Sequence, residues 1–169
     1  MTELNTEERL RRLNGLPEEQ AVAELLAVCH SRRWAAWVAA GRPYGDVATL
    51  LETADEVWKG LDPADWLEAL EAHPRIGERG GASARWSQQE QAGVGAAGEE
   101  VRQAIARGNA EYEQRFGHVF LISAEGRSAE EILANLRARL GNDPDTELRV
   151  AAEEHRRITR LRIERLVQG

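Results

Sequence analysis

Repeated helix signals constrain the fold of this chain more than any other feature of its sequence. Apolar residues recur at three- and four-residue spacing over most of its length, and these segments start at capping residues and stop at glycine or proline. Pro74 disfavours helical geometry at His73 and so predicts a helix end there. The predicted N-caps are Ser31, Asp46, Asp62 and Ser128. The pattern indicates an all-α protein.

We expect a compact single-domain bundle of about eight to nine helices. One strand-like run, at residues 119–122, is too short to build a sheet, so we predict an extended segment that crosses the core. Residues 75–86 are rich in Gly, Ser, Ala and Arg and form a connector of a length that is often functional. The helices are predicted at about 5–13, 17–29, 32–41, 47–60, 62–73, 87–116, 129–140 and 145–167. The helix at 87–116 is predicted to have a break at 93–98.

Charge and hydropathy exclude several classes of protein. The chain carries 22 Lys and Arg against 29 Asp and Glu, a net charge of -7, and has no long cationic cluster. A nucleic-acid partner is therefore not expected, because phosphate binding needs a concentrated positive face. No apolar run approaches the roughly 18 residues of a membrane span, and the N-terminus lacks the features of a signal peptide. We expect a cytoplasmic protein without membrane contact.

The single cysteine and the four histidines do not indicate a metal site. Cys29 lies in an apolar helical run, which favours inert packing in the core over nucleophilic chemistry. No histidine has a Glu three residues earlier or belongs to an HExxH sequence, so the usual helical ligand spacings are missing. We predict that the chain binds no metal.

His73 and Glu90 flank the connector, and each has two interpretations. A histidine at a helix end that opens onto a loop suits proton transfer near neutral pH, but an imidazolium there also simply complements the helix dipole. Ser87 and Glu90 have the spacing of a capping box, which alone explains both residues. A capped helix start also presents oriented N–H groups and a fixed carboxylate to a ligand, so the functional interpretation stays open.

The last helix places one arginine on its apolar face. With Ile158 at zero and about 100° per residue, Arg162 lies at about 40°, inside the apolar stripe, and Arg160 at about 200°, on the polar side. A guanidinium directed into the core needs an anionic partner or a wet pocket. The partner is either a core carboxylate or a bound anion. His155 and Arg165 also lie near the stripe. Histidine is commonly found at the boundary of an apolar face, so His155 is interpreted as a boundary residue, and Arg165 lies close to the chain end.

The five tryptophans have two possible roles, in the apolar core or in a ligand site. The tryptophans, at helical spacing, favour a role in the core or at an interface over a ligand platform. They are Trp34, Trp37, Trp58, Trp66 and Trp86.

Gly126 and Arg127 are explained by a plain turn. The adjacent segment 120–122 can instead offer backbone groups to a ligand, because a lone strand has no partner strand to bind them.

Eight short motifs occur in a fixed order along the chain, from about Asn14 to Leu166, and together they resemble 2-oxo-4-hydroxy-4-carboxy-5-ureidoimidazoline (OHCU) decarboxylases. Tyr44 stands where that family usually has Phe. The motifs are Arg42-Pro43-Tyr44, Asp65-Trp66-Leu67-Glu68-Ala69, His73-Pro74-Arg75-Ile76-Gly77, Trp86-Ser87-x-x-Glu90-Gln91, Asn109-x-x-Tyr112-Glu113-x-x-Phe116-Gly117, Phe120-Leu121-Ile122, Gly126-Arg127-Ser128 and Ile158-x-x-x-Arg162-Ile163.

The resemblance implies that residues 1–169 form one domain of this kind, a lyase that converts OHCU to (S)-allantoin and CO2 in urate degradation, a branch of purine metabolism. It implies no metal and no organic cofactor, and a small anionic ureidoimidazoline as substrate. The oligomeric state stays open, a homodimer included. Carried over by motif, the catalytic residues are His73, Glu90 and Arg162, and the substrate-binding residues are Pro74, Ser87, Gln91, Ile122 and Arg162.

Two other functions compete with this one. A helical protein-interaction module with Trp-rich faces predicts that Arg162 is paired internally and that His73 and Glu90 lie far apart. The enzyme requires these three side chains to converge on one pocket. A related carboxy-lyase or hydrolase that acts on another ureide would use the same residues.

Overall fold

A computed structural model describes residues 5–73 and 98–168, and all regular secondary structure in these ranges is α-helical. The predicted all-α fold class is confirmed. The described residues form eight helices: α1 (Thr6–Gly15), α2 (Glu18–Val28), α3 (Arg32–Ala40), α4 (Val47–Lys59), α5 (Pro63–Glu71), α6 (Glu99–Phe116), α7 (Ala129–Arg139) and α8 (Pro144–Gln168).

The helix ends follow the capping residues of the sequence. Ser31, Asp46 and Ser128 each accept a hydrogen bond from the backbone N–H three residues later, at 3.3, 2.8 and 3.1 Å. These three predicted N-caps are confirmed, and α5 begins at Pro63, where proline loses no helical hydrogen bond. Gly117 ends α6 with φ of 80°, a conformation that glycine adopts without steric cost.

Residues 119–124 separate α6 from α7 and belong to neither a helix nor a strand. Phe120, Leu121 and Ile122 are buried there, with exposed fractions of 1–3%. The prediction that this run is too short for a sheet and lies in the core is therefore confirmed. Buried backbone outside a helix needs other hydrogen-bond partners, and arginine side chains supply two of them, as described below.

The chain divides into two compact units. The first unit comprises the described parts of Met1–Ala69 and Arg156–Gly169, and the second comprises those of Leu70–His155. Helices α2 and α4 pack on α3 in the first unit, and α6 packs on α7 in the second. The assignment of residues 1–169 to a single domain stays a prediction.

Tryptophans of the first unit lie mainly in its core. Trp34 is fully buried, and its indole N–H donates to the carbonyl of Ala54 over 3.1 Å. The rings of Trp58 and Trp66 lie 6.1 Å apart, and Trp58 is also buried. Trp37 is different, because 65% of its surface is exposed. The predicted core role is thus confirmed for Trp34 and Trp58, and Trp86 lies outside the described residues.

Arg42 joins the ends of two helices in the first unit. Its Nη1 donates to the carbonyls of Leu13 and Leu16 at the end of α1, over 2.9 and 2.7 Å, and its Nε donates to the carbonyl of Ala39 in α3 over 2.8 Å. Carbonyls in the last turn of a helix have no intrahelical partner, so a cation there satisfies both hydrogen bonding and the helix dipole.

Tyr44 extends the same junction. Its hydroxyl donates to the carbonyl of Val38 over 2.5 Å, and its backbone exchanges hydrogen bonds of 2.8 and 2.9 Å with the side chain of Asn14. The hydroxyl that distinguishes Tyr44 from the usual Phe therefore has a structural partner at the end of α3.

The second unit has its own apolar core, contributed by α6, α7 and the segment between them. Gly108 brings the two helices close together, because a Cβ at this position would lie 2.5 Å from Cδ2 of Leu136. The buried members of this core are Ile105, Tyr112, Phe120, Ile122, Ala124, Ala129, Ile132 and Leu136.

Candidate active site

His73 follows the end of α5 and is buried in the second unit, with 7% of its surface exposed. Its backbone N–H donates to the carbonyl of Leu70, three residues earlier, over 3.1 Å, which closes a turn after the last residue of α5, Glu71. The predicted helix end near His73 is confirmed. An exposed imidazolium at the helix end, the alternative interpretation, does not fit this burial.

His155 packs directly against His73 in the second unit. The two ring centroids lie 4.9 Å apart with an interplanar angle of 87°, and His155 is fully buried in α8. The sequence interpretation of His155 as a boundary residue is therefore wrong. Its position near the apolar stripe of the last helix was the available signal, but no sequence spacing relates it to His73.

Arg139 supports the buried segment that contains Ile122. Its Nη1 donates to the carbonyl of Leu121 over 2.7 Å, and its guanidinium lies 4.5 Å from the ring centroid of Phe120. Its Nε donates to Oε1 of Glu147 over 2.6 Å. The arginine thus links α7, the segment and the first turn of α8 within one unit.

Glu147 is a fully buried carboxylate at the centre of this network. Besides Arg139, it accepts hydrogen bonds from the hydroxyl of Tyr112 over 2.6 Å and from Nδ2 of Asn142 over 3.0 Å. Burial raises the pKa of the Tyr112 phenol, and its hydrogen bond to the carboxylate raises the pKa further, so Tyr112 remains a donor at neutral pH. No motif or spacing in the sequence predicted this network.

Arg127 holds the other side of the segment. Its Nε donates to the carbonyl of Ser123 over 3.0 Å, and its backbone N–H donates to the carbonyl of Ala124 over 3.1 Å. Gly126 has φ of 77°, so the plain turn predicted for Gly126 and Arg127 is confirmed. The carbonyls on both sides of Ile122 are therefore fixed by arginine side chains.

Arg162 lies in the first unit and is fully buried, as its position on the apolar stripe predicts. Its Nη1 donates to the carbonyl of Val28, the last residue of α2, over 3.0 Å. The negative end of α2 thus contributes to holding the buried guanidinium. Arg160, predicted on the polar side, has 44% of its side chain exposed and pairs with Asp55 at 3.3 Å.

Two titratable groups near Arg162, the Cys29 thiol and the His30 imidazole, have shifted pKa values. Burial raises the pKa of the Cys29 thiol to about 12, so the thiol is protonated at neutral pH, in agreement with inert packing. Burial also lowers the pKa of His30, and the positive charge of Arg162 lowers it further.

The described residues place only part of the predicted site. His73 and Ile122 lie in the second unit and Arg162 in the first, and each is described within its own unit. Pro74, Ser87, Glu90 and Gln91 lie outside the described residues, so their roles remain predictions. The convergence of His73, Glu90 and Arg162 on one pocket is likewise a prediction.

The described ranges contain neither a metal-binding group nor a membrane-spanning helix. Residues 5–73 and 98–168 contain no group of three or more His, Cys, Asp and Glu side chains arranged to hold a metal ion. No helix within the same ranges is both long enough and apolar enough to cross a membrane.

Comparison with known proteins connects these features to a family. The family model for OHCU decarboxylase matches residues 14–164. The chain is 32% identical over 169 aligned residues to the 2-oxo-4-hydroxy-4-carboxy-5-ureidoimidazoline decarboxylase of Amia calva, which covers 94% of both proteins. It is 39% identical over 121 residues, 68% of its length, to the uric acid degradation bifunctional protein TTL of Arabidopsis thaliana, of which the match spans only 37%.

Solved structures agree with this assignment. A crystal structure of OHCU decarboxylase in the presence of (S)-allantoin superposes with a TM-score of 0.77 at 31% identity, covering 85% of this chain and 96% of that one. A crystal structure of (S)-allantoin synthase matches with a TM-score of 0.72 at 17% identity, covers 93% of this chain and 53% of that one, and supports the fold alone. The chain therefore belongs to the OHCU decarboxylase family.

Proposed function

We propose that this chain is a carboxy-lyase that converts OHCU to (S)-allantoin and CO2 in urate degradation. The observation that carries the proposal is the similarity to the Amia calva decarboxylase along nearly the whole length of both chains. The matched crystal structure, obtained in the presence of (S)-allantoin, supports the same product.

The reaction sets three demands on a site. The bond between the ring carbon and the carboxylate breaks, CO2 leaves, and the electron pair enters the ring before a proton adds to a ring carbon. The site must therefore bind an anionic substrate, stabilise the developing charge and deliver the proton to one face. Control of that face yields one enantiomer, whereas spontaneous decay gives a racemate.

His73 is proposed as the group that exchanges a proton with the 4-hydroxyl or with the intermediate. An imidazole titrates near neutral pH, so it can both accept and return a proton. Its burial limits competition from water, and the hydrogen bond from its backbone to Leu70 fixes its Cα at the end of α5. Glu90 is proposed to orient His73 or to bind the ureido N–H groups.

Arg162 is proposed to anchor an anionic or carbonyl group of the substrate. Its planar guanidinium suits two parallel hydrogen bonds to a carboxylate, and the carbonyl of Val28 holds one of its nitrogens in position. Ile122 is proposed to contribute backbone contacts from a segment held by Arg139 and Arg127. Pro74, Ser87 and Gln91 complete the proposed binding set.

The proposal is tested by supplying the substrate as it forms. Urate oxidase and hydroxyisourate hydrolase generate OHCU from urate, and circular dichroism follows the appearance of chiral allantoin with and without this protein. We expect a rapid circular dichroism signal of (S)-allantoin in its presence and only the racemic background, which has no such signal, in its absence. An unchanged background would reject OHCU as the substrate, and the same assay with other ureides would then test the related carboxy-lyase.

We also propose that the protein works in the cytoplasm as a homodimer. Trp37, with 65% of its surface exposed on α3, lines a groove of the first unit together with Val57 and Leu61, and a second copy would cover this apolar surface. Light scattering after size exclusion, with Trp37→Ser as the matched variant, measures the assembly. A wild-type monomer at all concentrations would reject the dimer, and a fluorescent fusion checks the location.

A further inference from the structure

His155 contacts the imidazole of His73 from a different element of the second unit. The two rings meet almost perpendicularly, at 87°, with their centroids 4.9 Å apart. An edge-to-face arrangement at this separation is the geometry that the charge distribution of aromatic rings favours. Both residues are buried, so the contact is shielded from solvent.

The main-chain hydrogen bond of His73 fixes its backbone, and the orientation of its ring depends on two further side-chain torsions. The N–H of His73 bonds to Leu70, which sets the position of its Cα at the end of α5. His155, in contrast, lies within the 25-residue helix α8 and is fully buried, so its ring has a rigid base. A ring held by a long helix can therefore limit the rotation of a ring at a helix end.

We propose that His155 is a positioning residue that fixes the ring plane of His73 for proton transfer. The inference rests on the proposed function of His73. Proton transfer requires the ring nitrogen within hydrogen-bond reach of the reacting group, and a displacement of about 1 Å can lower the rate by about a hundredfold. His155 acts through His73 and need not touch the substrate, so its loss should reduce kcat and leave KM unchanged.

Two substitutions of similar size separate the ring contact from simple packing. His155→Phe keeps an aromatic ring in α8, whereas His155→Leu fills the space without one. We expect His155→Phe to retain kcat within about threefold and His155→Leu to lose about tenfold or more, with KM within about twofold for both. Relaxation of the His73 ring carbons, measured by NMR, should show greater ring motion in His155→Leu alone.

His118→Leu is the matched control in the same unit. Its ring makes a comparable edge contact, with Tyr112 and not with His73, at 5.5 Å between centroids and 71°. We expect the motion of the His73 ring in this variant to equal that of the wild type. Thermal unfolding of each variant shows whether it is folded. If His155→Leu does not fold, the test is the relaxation of the His73 ring in His155→Phe: motion equal to that of the wild type supports the ring contact, and increased motion overturns it.

The outcomes distinguish this inference from the proposed function. No OHCU turnover by the wild type rejects the function itself. If His73→Asn abolishes turnover but both His155→Phe and His155→Leu keep the wild-type turnover, only the positioning role is overturned. Equal losses in these two variants, both folded, would also overturn it, because an aromatic ring would then not be sufficient.

Discussion

Arg139 donates a 2.7 Å hydrogen bond from Nη1 to the backbone carbonyl of Leu121, 18 residues earlier in the chain. This bond connects α7 to the buried segment 119–124, and the bond from Arg127 to the carbonyl of Ser123 holds its other side. Ile122 thus lies between two carbonyls that are fixed by side chains. A segment without regular secondary structure acquires a defined backbone in this way, as a substrate-contacting position requires.

We predict that Arg139→Met is strongly destabilising. The substitution leaves the fully buried carboxylate of Glu147 without its cation, and removal of one partner of a buried ion pair typically costs about 3–5 kcal/mol. Urea unfolding measures the change in the free energy of unfolding. Arg137→Met, on the exposed face of the same helix, serves as control and should change it by less than about 0.5 kcal/mol.

The double variant Arg139→Met with Glu147→Leu should recover part of this stability, because it removes the unpaired buried carboxylate, whereas Tyr112 and Asn142 still lose their acceptor. Its turnover should nevertheless stay low, since the carbonyl of Leu121 still lacks its donor. Wild-type turnover in the stable double variant would show that this hydrogen bond does not contribute to the site.

Arg162→Lys tests the proposed anchoring of the substrate. Lysine keeps the positive charge but not the planar fork, and a lost hydrogen bond to a charged group is worth about 1.5–3 kcal/mol. We expect kcat/KM to fall by about ten- to a hundredfold. Arg160→Lys, whose partner is Asp55 in the same unit, should keep kcat/KM. Equal effects of the two substitutions would contradict the assignment of Arg162.

The lowered pKa of His30 predicts how stability depends on pH. Its pKa lies below the ordinary 6.5 because of burial and the charge of Arg162, so between these two values the unfolded chain binds more protons than the folded one. Stability should therefore fall as the pH decreases from about 7 through the folded pKa, and this contribution should then level off. His30→Gln should remove it.

Urea unfolding of the wild type and His30→Gln at several pH values measures this contribution. The difference between the two proteins cancels the titration of the carboxylates, which both share. We expect the wild type to lose stability relative to the variant on acidification. Parallel pH dependence of the two proteins would show that His30 has the same pKa in the folded and unfolded states.

The fold was predictable wherever local chemistry decides it. Ser31, Asp46 and Ser128 satisfy N–H groups three residues away, so their role is visible in a short window of sequence. The burial of Arg162 follows from helical periodicity in the same way. Local interactions of this kind depend only on the spacing of residues in the sequence, so the sequence alone predicts them.

Features that depend on tertiary contact were not predictable. Tyr112 and Glu147 are 35 residues apart, and no local pattern indicates that α6 and α8 bring them together. The contact between His73 and His155 spans a still longer stretch of chain. The carbonyl of Val28 that binds Arg162 is 134 residues away from it. Such pairs are set by the packing of helices, which periodicity constrains only to a face.

The most direct test of the central claim is the rate of chiral allantoin formation by His73→Asn and Glu90→Gln. Loss of a general acid or base typically lowers the rate by about a hundred- to ten-thousandfold, and loss of the carboxylate that orients His73 or binds the substrate impairs the same step. We predict a fall by at least about a hundredfold in both variants, with the fold intact by circular dichroism in the far ultraviolet. Turnover close to that of the wild type in either variant would contradict the proposed site.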